Sequence, residues 1–244
     1  SPEWYIAKMV DNYKWLFGES PSHCSQSPLE SNDHPEIDSS EFLGEDDVQK
    51  YQSLIGAMQW AISIGHFDIA VHVMTMSSFR ASPRHGHLER VKRMVGYLSK
   101  FRFAELRILT NEPDFSDIEV AKYDWSKSIY GDASEAVPKD APEPLGKPVT
   151  MTQYQDVNLY HDIITGWSVT AILHFLNKFP IDWYSKKQAT VKTATYGSEY
   201  ISARTCVDQI VDLRTTLRYL GIPIRDVSYM FGDNESVINS STQP

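Results

Sequence analysis

At 244 residues, with 41% hydrophobic and 23% charged side chains, the chain has enough apolar material for one large domain or two modest ones, which excludes wholesale disorder. No run of eighteen apolar residues occurs, so no membrane-spanning helix is expected. The start, Ser1-Pro2-Glu3-Trp4, also lacks the basic-then-apolar pattern of a secretory leader. The net charge is −9, but it is unevenly spread: residues 1–50 hold eleven acids against Lys8, Lys14 and Lys50, a balance of −8, which leaves −1 for the rest. An acidic head therefore precedes a nearly neutral body, and the overall charge does not exclude a polyanionic partner for that body. Cys24 and Cys206 are too few and too far apart for a disulfide framework, as in a reducing compartment.

In chain order, Trp4 to Phe17 predicts a short amphipathic helix with Trp4, Met9, Tyr13 and Leu16 on its apolar face, and one that needs tertiary packing to persist. Gly18 to Asp47 is rich in Ser, Pro, Asn and Asp and predicts a solvated loop or flexible segment. From Val48 to Lys100 the apolar period is helical: Tyr51, Leu54, Ile55, Met58 and Ile62 form one stripe and Ile69, Val73 and Met76 a second. A third, opened by Pro83, carries Leu88, Val91, Val95 and Leu98. Basic residues crowd this region, among them Arg90, Lys92 and Arg93, and they fit either a solvated helix face or a surface that meets phosphates.

Pro138, Pro142, Pro144 and Pro148 predict a semi-rigid connector and a domain boundary. Beyond it the pattern turns to strands at Val149–Gln155, Ser168–Leu176 and from Pro180 to Tyr184, with Asn177-Lys178 as a turn. A long helix is expected from about Thr195 to Leu220, stopped by Gly221 and Pro223, with Ala203, Cys206, Val207, Ile210, Leu213 and Leu217 as its buried stripe. A strand at Val227–Phe231 and a helix start at Asn234-Glu235-Ser236 follow. This order implies an α/β fold with a mixed sheet covered by helices.

Three carboxylates stand out. Asp156 and Asp233 follow predicted strands, and open α/β sheets place ligands at such ends. Glu199 lies four residues before Ala203, on the apolar stripe, where a carboxylate is costly unless paired, hydrogen-bonded or bound to a cation. Alternatively it is an N-terminal glutamate favoured by the helix dipole. Converging together, the three would suit magnesium or manganese. Asp132 and Asp162 are rivals for the first position. Asp132 precedes the run of prolines and has no partner strand pattern after it, and Asp162 is better placed as a turn residue, so Asp156 is preferred. His85-Gly86-His87 shows no third metal ligand and reads as surface histidines, and Cys206 reads as a small core residue.

Tyr154-Gln155-Asp156, Trp183-Tyr184-Ser185-Lys186-Lys187-Gln188, Ser198-Glu199-Tyr200 and Gly232-Asp233-Asn234-Glu235-Ser236, in this order and spacing, resemble the ribonuclease H domain of copia-type LTR retrotransposon Pol polyproteins. Tyr51-Gln52-Ser53-Leu54-Ile55-Gly56-Ala57, Phe67-Asp68-Ile69-Ala70 and Lys92-Arg93-Met94-Val95-Gly96-Tyr97-Leu98 resemble the helical segment between polymerase and nuclease in the same polyproteins. The likeness covers roughly Tyr51 to Ser240 and is weakest across the prolines.

The resemblance implies a ribonuclease H-like mixed sheet flanked by helices, preceded by a mainly helical segment. It implies hydrolysis of the RNA strand of an RNA–DNA hybrid by a metal-dependent endoribonuclease. It also implies two Mg2+ ions, or Mn2+, held by four carboxylates, of which Asp156, Glu199 and Asp233 match three while the fourth has no match before Pro244. Asp156 is expected to bridge the ions, with Lys186, Lys187, Lys192 and Arg204 on phosphates and Asn234 on a ribose hydroxyl or backbone oxygen. Arg90, Lys92 and Arg93 would grip the duplex.

The expected organisation is an acidic, partly flexible segment at 1–46, a helical connection at 47–117 and a proline-rich connector at 118–149. A ribonuclease H-like domain, truncated at its C-terminus, follows at 150–244. Expected partners are the hybrid and the rest of the Pol polyprotein, with no membrane, in a cytoplasmic particle or the nucleus. The polymerase's paired aspartates are absent. The alternative reading is a catalytically incomplete nucleic-acid-binding scaffold of the same polyprotein.

Overall fold

A computed structural model describes residues 2–23, 25–103, 108–118, 124–127, 129, 131 and 135–242. It divides into two compact units, Ser1–Leu106 with Asp162–Ile164, and Arg107–His161 with Thr165–Pro244. Asp132 and Cys24 lie outside the described residues.

The first unit is helical: α1 (Pro2–Phe17), α2 (Glu45–Ser63), α3 (Ala70–Ser77) and α4 (His85–Lys100). The stripes expected on α2 to α4 are buried, and α1 packs on α2 and α4. On α1 the expected face is corrected. Ile6, Met9 and Tyr13 are buried and Trp4 is exposed, because residues 6, 9 and 13 follow the helical repeat and residue 4 lies off it.

Among the described residues of 19–44 there is only one short helical turn, at Pro35–Ile37, yet the segment is anchored. Pro21, Pro28, Leu29, Pro35 and Leu43 are buried, and Phe42 bridges to Arg84. Their acids pair with α4: Asp33 and Asp38 with Arg90, Glu30 with Arg93, and Glu19 with Lys92, which also meets Glu89. The histidine reading is corrected at His87, while His85 is exposed as expected. His87 is buried, its Nδ1 accepts the Arg84 N–H at 3.0 Å, and its Nε2 lies 2.9 Å from the Pro35 carbonyl, so it ties the helix start to the preceding loop.

The second unit is an α/β layer. β1 (Val149–Asp162), β2 (Trp167–Leu176), β3 (Phe179–Lys187) and β4 (Ile224–Phe231) form one sheet in the order β3-β2-β1-β4. β1 and β4 are parallel and β2 and β3 antiparallel, so the sheet is mixed, as expected. Asn177, at φ +54°, makes the predicted turn, a left-handed conformation that asparagine tolerates.

Helix α5 (Thr195–Tyr219) packs on β2 and β4, and α6 (Glu235–Thr242) packs on α5. Of the expected α5 stripe, Ala203, Cys206 and Leu217 are buried and Ile210 and Leu213 half-buried, whereas Val207 is exposed and the unexpected Ser202 and Arg214 are buried. Arg214 is accommodated because its guanidinium donates to Glu135, to the Arg225 carbonyl and to Ser228 Oγ, which satisfies an otherwise costly buried charge. Met151, Leu217 and Ile224 form the apolar centre between sheet and helix. Among the described residues no helix is long and apolar enough to cross a membrane.

Candidate metal centre

The parallel register of β1 and β4 runs to Tyr154 and Phe231. Each strand delivers an aspartate two residues later, Asp156 and Asp233. Asp156 is not beyond its strand, as the sequence predicts, because β1 continues to Asp162 beside β2. It lies instead just past the end of the β1–β4 pairing, where β4 has already stopped. Glu199 comes from the fifth position of α5. One carboxylate oxygen from each of Asp156, Glu199 and Asp233 lies within 4.8 Å of the others, with both aspartates exposed and Glu199 buried. Asp162 does not join them: its Oδ1 accepts the Ile164 N–H at 3.2 Å, the turn role expected of it.

The start of α5 is fixed by the end of the Trp183–Gln188 stretch rather than by a side-chain cap. Gln188 Nε2 donates to the Ser198 carbonyl at 2.9 Å and to Thr170 Oγ1 at 3.0 Å, and its backbone N–H reaches the Ser168 carbonyl at 2.8 Å. The Ser168 and Ser198 hydroxyls are 3.3 Å apart. Helix α5 is thereby tied to β2 one residue before Glu199. Sequence reasoning missed Gln188 as a positioning residue, although it closes the Trp183–Gln188 motif.

Glu199 is 2% exposed, and its Oε2 has no hydrogen-bond partner among the described residues. Burial, reinforced by the negative charges of Asp233 and Asp156, pushes its carboxyl up to about 7, and among the described residues no lysine or arginine offsets that shift. A buried, partnerless carboxylate oxygen beside two further carboxylates is a poor arrangement for protein alone and a good donor set for a hard divalent cation.

The basic candidates divide. Lys192 precedes α5, and its methylene stem packs beside Gly197, two residues before Glu199. Lys186 is exposed near the end of β3, an edge strand, with Lys187 beside it. Arg204 is exposed, about 140° around the helix from Glu199, and points toward Asp208 at 4.0 Å. Asn234 Oδ1 accepts the Val237 N–H at 3.1 Å, so this side chain caps α6. Arg90, Lys92 and Arg93 belong to the helical unit and carry the acidic partners given above.

No family model matches the chain, and no solved structure matches it. Over 188 residues it is 24% identical to a Saccharomyces cerevisiae protein named for the transposon Ty5-1, a likeness covering 77% of this chain and 47% of that protein. The chain therefore spans about half the length of the curated relative it matches, and what that likeness establishes is similarity to a transposon protein over most of these 244 residues.

Proposed function

We propose that this is a fragment of a retrotransposon-derived polyprotein whose α/β unit is a ribonuclease H-type endonuclease acting on the RNA strand of RNA–DNA hybrids. The single observation that carries the nuclease reading is the meeting of Asp156, Glu199 and Asp233 with the Glu199 Oε2 buried and partnerless. The likeness to a transposon protein supports the polyprotein reading, and the ordered motifs join the two.

Asp156, Glu199 and Asp233 would hold Mg2+, with Mn2+ as a substitute, because hard oxygen donors suit both. Bound there, the cation supplies charge neutralisation at phosphorus and a more acidic water. The chain's own residues position the substrate. Lys192, beside the start of α5, and Lys186, on β3, would meet phosphates. The Gln188 clamp holds α5, and so Glu199, against the sheet. Rigid support of this kind keeps carboxylates in place without further ordering at the moment of reaction.

The decisive experiment is magnesium-dependent cleavage of a labelled RNA–DNA hybrid, with duplex DNA as control, by the wild type and by Asp156→Asn. Cleavage of the RNA strand that the substitution abolishes, with hybrid affinity preserved, is expected. A wild type that leaves the hybrid intact at every Mg2+ or Mn2+ concentration, or a variant as active as its parent, would refute the nuclease assignment.

A further inference from the structure

Between the two cage aspartates lies a contact to which neither the motifs nor the carboxylates assign a role. Gln155 precedes Asp156 on β1, and Gly232 precedes Asp233 after β4. A Cβ placed on Gly232 would lie 2.2 Å from Gln155 Nε2 and 3.3 Å from its Cδ. Gly232 does not have a left-handed φ, so glycine is required for room rather than for backbone freedom. On a surface, a glutamine tip would swing aside at little cost. Gln155 is only 6% exposed, so its amide is hemmed in and a Cβ must displace either that packing or the backbone of residue 232.

We propose that Gln155, laid across Gly232, sets the separation of Asp156 and Asp233, which makes the two a positioning pair for a hard divalent cation in the cage. The inference rests on the cation reading of that cage. Its physical basis is the narrow tolerance of ligand distances, about 0.2 Å, and the short covalent path from contact to ligand. Each member of the contact is the chain neighbour of one aspartate. A displacement of residue 232 or 155 passes across one peptide unit to a carboxylate, with no intervening element to absorb it. The same contact explains why β1 and β4 present their aspartates together although their backbone pairing has ended at Tyr154 and Phe231.

The test is a calorimetric titration of the full chain with Mn2+ alone, on wild type, Gly232→Ala, Gln155→Ala and the double variant. Gly232→Ala made in the otherwise wild-type chain is expected to weaken Mn2+ binding by about tenfold or more. Made on top of Gln155→Ala, where the amide no longer occupies that space, the same change is expected to cost less than about threefold. Equal losses in both backgrounds, or no loss in either, would overturn the positioning role. A wild type that binds no Mn2+ overturns the cage reading and this inference together. A wild type that binds, with an unaffected Gly232→Ala variant, overturns this inference alone. Should Gly232→Ala fail to fold, a restored thermal transition in the double variant supports the contact, and a transition that is not restored overturns it.

Discussion

Arg90 grips Asp33 through three hydrogen bonds, Nε to both carboxylate oxygens at 2.8 and 3.1 Å and Nη2 to Oδ1 at 2.8 Å, while its Nη1 reaches Asp38. The planar guanidinium thus serves two acids of one loop, and lysine cannot reproduce that geometry. The three side chains are 10–22% exposed, so removal of Arg90 is expected to cost about 2 kcal/mol, below the range for fully buried pairs. Arg90→Ala should lower the thermal midpoint of the helical unit, and Arg90→Lys should recover less than half of the loss. Burial alone would raise Asp38, but hydrogen bonds from Ser40 and Arg90 outweigh it and hold the carboxyl at about 2. Because that value is depressed, the pair's contribution is complete above about pH 4 and vanishes as pH falls through 2. Urea unfolding between pH 5 and pH 2 checks this, and a wild-type acid sensitivity that persists in Asp38→Asn would contradict it.

Glu199 predicts the opposite slope. Its carboxyl is raised to about 7, by burial first and by Asp233 and Asp156 after it, so the folded protein keeps this proton when the unfolded chain has released it. Metal-free stability should therefore fall as pH rises from about 4.5 to about 7, by about 3 kcal/mol in total. Glu199→Gln should flatten that dependence and be the more stable protein at pH 8. Mg2+ should stabilise the wild type most above pH 7, where protons no longer compete, and should leave Glu199→Gln nearly unmoved. Thermal melts with and without Mg2+ across pH 5–8 measure both arms, and a metal-induced shift of equal size in the two proteins would contradict the expectation.

Much of the fold is visible in the sequence where one local rule operates. The α5 boundaries follow from helical spacing and from Gly221 and Pro223, and the carboxylate centre follows from one step back along that helix. The features that sequence reading misses are long-range pairings, which local spacing does not encode. Asp33 and Arg90 are 57 residues apart, and Glu135 and Arg214 are 79. The exposed basic face inferred for α4 is instead largely matched by the acidic loop, and the arginine buried at position 214 is invisible to a purely apolar stripe. His87 shows the same limit, since nothing in His85-Gly86-His87 signals that a ring nitrogen accepts the Arg84 N–H.

Glu135 is the junction of two arginines: Arg214 and Arg218 both donate to it, and these hydrogen bonds, Arg218's first, hold its carboxyl down at about 2 despite partial burial. Arg214 also joins α5 to the Arg225 carbonyl and Ser228 of β4. Truncating the better-buried partner should therefore cost more. Arg214→Ala is expected to destabilise the α/β unit by about 3 kcal/mol, and Glu135→Gln, whose site is partly solvated, by about 1 kcal/mol. Denaturant midpoints of the two variants check the order, and a larger effect from Glu135→Gln would reverse the assignment of Arg214 as the structural centre.

Gly96, within α4, reverses a usual rule. An exposed helical glycine is worse than alanine by about 1 kcal/mol, so Gly→Ala ordinarily stabilises. At Gly96 the added Cβ would lie 2.0 Å from the Ser22 carbonyl oxygen, and the obstacle is main chain rather than a movable side-chain tip. Either α4 or residues 20–23 must shift, and those residues lead into the loop whose acids pair with Arg90 and Arg93. Gly96→Ala is therefore expected to destabilise the helical unit by about 2 kcal/mol, while Gly56→Ala on α2, where a Cβ meets nothing within 4 Å, should stabilise it slightly. Amide exchange should quicken across residues 25–38 in Gly96→Ala and not in Gly56→Ala, and equal protection in the two variants would mean the loop is not held by this close approach.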